Sequence, residues 1–369
     1  IYNDDCYKGY ELSGQIPTSI GNLTNLHHLY LPYNKLTGEI PPEIGNLGNL
    51  IDLQLDYNYL TGNIPQEIGN LTYLNHFTIG GNYVTGKIPP EIWNLQYLKH
   101  FSVWNCNVSG EIPPEIGNLI FLEWLDLSSN QLSGEIPLEL WNMTKLDYLG
   151  LNDNQFTGEI SANIVNLSSL QGLLLRDNQF TGGIPPEIGN LVNLTDLGLS
   201  GNNLTGVIPP EIGNLVRLKE LWLHDNQLSG SIPSEIGNLT NVNDLRLNSN
   251  SLSGTIPTEI CNLTNMTEYN PSLSSNQLCP PYPSCLTEEM IGEQNTYECP
   301  GIVTDIDGNI YNTILIGNQT WMAENLKVTK YKDGTAIPTG HSNSEWTNLS
   351  TGAYAVYDDN LSNADIYGN

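Results

Sequence analysis

The side chains of this 369-residue chain that could do chemistry recur at a spacing of 24. His28, Asp52, His76, His100, Trp124 and Tyr148 follow one another at that interval. A second series runs Asp56, Gly80, Trp104, Ser128, Asn152, Arg176, Ser200 and His224. Imidazole beside carboxylate can ligate a divalent metal, or raise the pKa of the histidine. A Ser102–His76–Asp52 relay can also be drawn, but a relay needs oxyanion donors and exclusion of water. Side chains standing on an open strand surface offer neither. The histidine–carboxylate line therefore reads as favourable electrostatics, with no catalytic group, no metal and no cofactor. The aromatic members are different, because exposed aromatic rings and arginines on a rigid face are anchors for a ligand.

The elements that must carry these residues follow from the period. Gly14 and every twenty-fourth residue after it, through Gly254, is glycine, and the residue two further on is isoleucine from Ile16 to Ile256. Proline follows that isoleucine in every copy but one, where Ser161 stands. A fixed period in this range, with L-x-x-L-x-L-x-x-N as in Leu26 to Asn34, marks a leucine-rich repeat solenoid. Each copy is expected to read as a short strand of the Leu29–Leu31 type, a turn at asparagine, a second extended segment and a proline-led helical turn. The expected fold is a right-handed solenoid with a parallel sheet of at least ten strands on a concave face. Short helical or 3-10 turns cover its convex face, and a small β-rich module follows. One repeat buries too little to fold alone, so neighbours must stack and the ends must be capped.

Strand alternation puts repeat positions 3, 5 and 7 on the concave surface. The expected ligand-binding residues there are Tyr30, His76, His100, Trp104, Trp124, Tyr148, Arg176, Trp222, His224 and Arg246. The N-terminal half concentrates the aromatics and histidines and is the expected centre of recognition. The buried asparagine column from Asn34 to Asn250 must bond neighbouring backbone, and Cys106 interrupts it with a thiol that should weaken the stack locally.

Forty acidic residues against 12 basic ones give a formal charge of −28, which excludes nucleic acid as a partner. Nothing approaches 18 consecutive apolar residues, so no transmembrane segment is expected. The chain opens on Ile1 rather than Met, which suggests a processed fragment. Much of the acid sits in one column, Glu43 to Glu259, just after a proline, where it complements the start of a helical turn. Cys261, Cys279, Cys285 and Cys299 cluster where the repeats end and read as disulfide candidates of unassigned pairing, with Cys106 reduced. This points to a secreted or cell-surface setting. Glycosylation sequons fall at Asn22, Asn70, Asn107, Asn142, Asn166, Asn193, Asn203, Asn238, Asn262, Asn265, Asn318, Asn348 and Asn360, many of them generated by the repeat itself.

The consensus L-T-G-x-I-P-x-x-I-G-N-L resembles the plant-specific class of leucine-rich repeats found in receptor-kinase ectodomains and polygalacturonase-inhibiting proteins. Past Cys299, the runs D-I-D-G-N-I-Y and I-G-N-Q-T-W-M-A-E-N-L-K resemble the opening of the Fibrobacter succinogenes major paralogous domain, which occurs on surface proteins of Bacteroidetes-like bacteria. The organisation read from the sequence is an N-terminal cap at 1–13, eleven repeats at 14–262, a cysteine-containing cap at 263–299 and the partial β-rich module at 300–369. The expected function is a non-catalytic extracellular recognition or adhesion protein, taking a protein, peptide or glycan on its concave face. Self-assembly as a subunit of a surface layer or fibre is one alternative. Inhibition of a secreted glycan-degrading enzyme, implied by the plant resemblance, is another.

Overall fold

The structure is a computed structural model that describes residues 11–266, 271–295, 299, 302–304, 310–316 and 319–322. The chain divides into two compact units, 1–295 and 296–369.

The first unit is a stack of coils. Ten three-residue strands, from His28–Tyr30 to Asp244–Arg246, form one sheet in which every pairing is parallel. The register never slips: His28 lies opposite Asp52, Asp52 opposite His76, and so on to Glu220 opposite Asp244. The middle residue of each strand, such as Leu53, Phe77 or Phe101, is buried, while its neighbours face outward. The strands begin one residue earlier than the repeat pattern suggests. Their ladder still runs on, since the Leu31 N–H donates to the Gln54 carbonyl at 2.8 Å. Shorter parallel sheets follow across the core, such as Ser13–Gln15 with Lys35–Glu39 and Tyr59–Thr61. Each coil closes with a 3-10 turn of the Pro42–Asn46 type. At Ser161, where the proline is missing, the serine hydroxyl accepts the Asn163 N–H at 3.2 Å and caps the turn instead. These turns pack closely: a Cβ on Gly45 would overlap the Glu67 carbonyl of the next coil.

The asparagine column ties each coil to the one before. The Asn58 side-chain NH₂ donates to Leu55 O at 3.0 Å within its own turn and to Leu31 O at 2.8 Å one coil back. Its Oδ1 accepts the Leu36 N–H, also one coil back, at 3.0 Å. Asn82, Asn130, Asn154, Asn178, Asn202, Asn226 and Asn250 repeat the pattern. At Cys106 only one such donor bond survives, Sγ to Ile79 O at 3.5 Å, and burial pushes the thiol up to about 11. The bonds an asparagine would make are reduced there to this one, and the thiol is free.

At the C-terminal end, Pro271 supplies no N–H, and pairing shrinks to a single bridge between Arg246 and Ser272. Asn276 nevertheless completes the column, accepting Leu252 N–H at 3.0 Å. Cys261 and Cys285 are bonded, 24 residues apart, so the bridge ties the last 3-10 turn to the cap that follows it. Cys279 and Cys299 are disulfide-bonded as well, as the sequence led one to expect.

In the second unit, Ile302–Thr304 pairs antiparallel with Ile310–Ile316, which pairs antiparallel with Gln319–Met322. These strands agree with the β-rich character expected of the module; most of residues 300–369 and the first ten residues of the N-terminal cap lie outside the described residues. Among the described residues no helix is long and apolar enough to cross a membrane.

Restoring the column should pay back at the weak point. Cys106→Asn is expected to raise stability by about 1 kcal/mol, read as a higher denaturant midpoint, and Cys106 in the parent should resist thiol reagents until the protein unfolds.

Candidate functional site

Perfect register converts sequence columns into ladders of side chains. At strand position 3, Asp52 is buried to 6 % exposure and accepts from Nδ1 of both flanking histidines, His28 and, at 2.5 Å, His76. The Tyr30 hydroxyl adds a third bond at 3.0 Å. Burial alone would raise the Asp52 pKa, but the bonds from His28, Tyr30 and His76, with the His76 charge, outweigh it and hold the carboxyl below its usual range. With Asp52 occupied in this way, no group of three or more histidine, cysteine or acidic side chains is arranged for a metal among the described residues.

Beyond His76 the ladder is a stack of rings. His100 lies 5.8 Å from His76 and 5.2 Å from Trp124, and Trp124 lies 3.8 Å from Tyr148 at an interplanar angle of 10°. Tyr148 rests where a Cβ on Gly172 or Gly150 would come within 2.8 or 2.9 Å of it, so these glycines make room for the ring. Burial, and secondarily His76, lowers the His100 pKa to about 4, leaving a neutral imidazole in the stack at pH 7. Burial likewise pushes the Tyr148 hydroxyl up. Trp124 is covered on both faces, by His100 and Tyr148, so it meets anything outside with its edge.

A second aromatic wall stands across the sheet. Tyr33 and Tyr57 stack at 4.3 Å, and Tyr57 meets Trp104 edge to face at 5.0 Å. Trp104 lies over Gly80, where any Cβ would overlap the indole. Between the walls is an open cleft of about 570 Å³, floored by Gln54, Thr78, Ser102 and Asp126. Two carboxylates border it. Asp56 accepts the Thr78 hydroxyl and, at 2.9 Å, the Gly80 N–H; Asp126 accepts the Ser128 hydroxyl at 2.6 Å and its N–H at 3.1 Å, both on Oδ1. Burial raises both pKa values, and the charge of Asp126 adds to the effect on Asp56.

The structure thus brings His76, His100, Trp104, Trp124 and Tyr148 together around or beside one cleft, with Tyr30 on its Asp52 flank. The other four sequence candidates form a separate group. Arg176 and Arg246 lie over the Trp222 ring at 4.7 and 5.5 Å, the Trp222 N–H donates to Asp244 at 2.9 Å, and His224 sits 3.8 Å from Asp225. Sequence reasoning missed Tyr33, Tyr57 and the two carboxylates. A signal for the tyrosines existed. Both sit at φ of 54° and 53°, the left-handed turn position that other copies fill with small or short polar residues such as Gly81, Asn105, Ser129 or Asp153. A bulky residue there costs roughly 1–2 kcal/mol, so tyrosine marks a place where something other than the turn sets the choice. A further exposed ladder at the sheet rim runs Tyr73, Tyr97 and Phe121, closed by the Lys145 ammonium 4.2 Å from the Phe121 ring centre. Of the sequons, Asn22, Asn70, Asn107, Asn142, Asn166, Asn203, Asn238, Asn262 and Asn265 are exposed and Asn193 half-buried. Asn318, Asn348 and Asn360 lie outside the described residues.

Comparison with known proteins agrees with this architecture. The Leucine Rich Repeat family model matches residues 25–47, 49–71, 97–119, 121–143, 169–191, 193–215, 217–239 and 241–263. The plant peptide hormone receptor RGFR1, solved in complex with RGF2, is 38% identical over 76% of this chain and 45% of its own, with a TM-score of 0.70. A plant ice-binding protein is 31% identical over 63% of this chain and 74% of its own, with a TM-score of 0.53. A Leptospira interrogans LRR protein is 29% identical over 78% of this chain and 82% of its own, at 0.55. The chain spans about half the length of the receptor structures it matches, 45% and 52%. No curated protein matches the chain.

The His100 environment makes a pH prediction. Its folded pKa of about 4 lies below the free value of 6.5, so as pH falls the unfolded state takes up the proton first. Stability should drop between pH 6.5 and 4 from this group and level off below. In His100→Phe, the denaturant midpoint should fall less over that window than in the parent.

Proposed function

The chain belongs to the leucine-rich repeat proteins, and from that premise we propose that it is a non-catalytic recognition protein. Its ligand, a protein, peptide or glycan, lies in the cleft on the N-terminal half of the ten-stranded face. The observation that carries this reading is the contrast between columns. The Leu, Ile and Asn positions repeat to fill and tie the core, whereas the outward positions change from coil to coil and there assemble two aromatic walls around a cleft. Tyr33 and Tyr57 add to it, since strained backbone collects at ligand clamps. The receptor relative with its bound partner supports the same use of the fold. Clustered disulfides and exposed sequons support a secreted or cell-surface location. The antiparallel strands between 302 and 322 support a β-rich module, and its kinship to the paralogous surface domain rests on the sequence runs alone.

Two measurements test the site. Against peptide and glycan panels, Trp104→Ala and Trp124→Ala should each weaken the best binder at least tenfold, as loss of a buried anchor does. Unchanged affinity in both would place the ligand elsewhere and favour assembly of the solenoids. Tyr57→Asn should act in opposite directions, raising stability by about 1 kcal/mol through relief of the turn while weakening binding. A variant that gained stability and kept full affinity would remove Tyr57 from the site.

A further inference from the structure

The two halves of the ten-stranded face each place a tryptophan and an aspartate on one 22-residue diagonal, and only one of the two pairs is bonded. Trp222 and Asp244 are 22 residues apart, which in this register places them on neighbouring strands, two positions offset. Such diagonal neighbours have Cα atoms about 8 Å apart, within reach of a long side chain. There the Trp222 N–H donates to Asp244 at 2.9 Å, and Arg246 grips the same carboxylate with two bonds, at 2.9 and 2.7 Å. The Arg246 guanidinium lies over the indole at 5.5 Å and that of Arg176 at 4.7 Å. The protein therefore uses an indole and a carboxylate on this diagonal to hold guanidinium groups of its own.

Trp104 and Asp126 stand on the same 22-residue diagonal and both line the N-terminal cleft, but the Trp104 indole lies back over Gly80 instead of bonding the carboxylate. No lysine or arginine lines that cleft. Asp126 uses Oδ1 for both of its bonds within Ser128, and its Oδ2 has no bonded partner among the described residues. Asp56 borders the same space, and its two oxygens accept only one bond each. The neutral imidazole of His100 offers no compensating charge at pH 7. Two half-buried carboxylates on a cleft walled by aromatic rings, with no lysine or arginine of the protein's own, leave room for a cation that the C-terminal pair finds within the chain.

We propose that the Trp104–Asp126 diagonal takes an arginine guanidinium from an extended basic peptide segment lying across the strands, with Asp56 drawing a second cation. The inference rests on the reading of the cleft as the ligand site and names the chemistry of the ligand. Planar guanidinium suits the pair because it bonds a carboxylate through two parallel N–H groups while stacking on an aromatic face, which an ammonium does not. A neutral glycan would meet Trp124 only at its edge and, although its hydroxyls can donate to the carboxylates, would leave both charges uncompensated.

Selection of randomised octapeptides on the full chain tests this directly. Arginine should be enriched in the selected sequences, and more so than lysine. The best peptide should lose at least tenfold in affinity when its arginine is replaced by citrulline, which keeps the shape and removes the charge. Asp126→Asn should cost the arginine peptide a similar factor and leave the citrulline peptide unaffected. Glu115→Gln, which removes the same charge from the exposed 3-10 turn Pro114–Asn118, should change neither. Absence of arginine enrichment, equal loss with Glu115→Gln, or an Asp126→Asn variant that binds as the parent does would overturn the proposal. If Trp104→Ala still weakened a neutral peptide or glycan in those cases, the cleft would remain the ligand site and only its cation preference would be wrong. If Trp104→Ala weakened no ligand, both readings would fall.

Discussion

A buried primary amide cannot be left unpaired, and that constraint sets the whole molecule. Each column asparagine is held among apolar side chains, where a missing hydrogen bond costs about 1–3 kcal/mol. It is satisfied only if the preceding coil presents one carbonyl and one N–H at fixed places, as Leu31 O and Leu36 N–H do for Asn58. A coil whose length changed between those groups and the amide, without a compensating loop, would move both out of reach. The amide thus enforces the 24-residue period more strictly than the leucines, which need only be inside. The C-terminal exception supports this: the last copy has 26 residues, yet Asn276 still reaches Leu247 O at 3.0 Å and Leu252 N–H at 3.0 Å. The extra length is absorbed around Pro271, away from the amide.

Fixed register makes the outer face a set of straight columns, and this gives the surface its chemistry. Side chains at one repeat position are stacked about 4.8 Å apart, close enough for rings to cover one another and for charges to pair. That is why Asp52 serves two histidines, and why Trp124 spends both faces on His100 and Tyr148. A wall built this way is rigid before any ligand arrives, which lowers the ordering cost of binding. It also changes what the wall offers, because ring edges replace ring faces. Space for these rings comes from glycines on neighbouring strands, Gly80 under Trp104 and Gly172 beside Tyr148, so absent side chains shape the cleft as much as present ones do.

The period, the parallel sheet, the inward columns, the break in the asparagine column at Cys106 and the bonded state of the terminal cysteines were all legible in the sequence, because each follows from local periodicity and from the requirement to bury or pair a group. Which residues share the outer face was legible too, since alternation in a strand is a property of the backbone. What the sequence could not give was how those outward side chains divide their contacts. Trp124 and Trp222 look alike as exposed tryptophans on a list of positions, yet one is stacked between rings and the other carries two guanidinium groups. Tyr33 and Tyr57 became part of the cleft only once the left-handed turn aimed them back across the sheet. Periodicity is a one-dimensional property, and the sequence determined everything that depends on it. The cleft depends on diagonal neighbours from different coils and on rotamers chosen in competition with one another, and those were decided only by the folded stack.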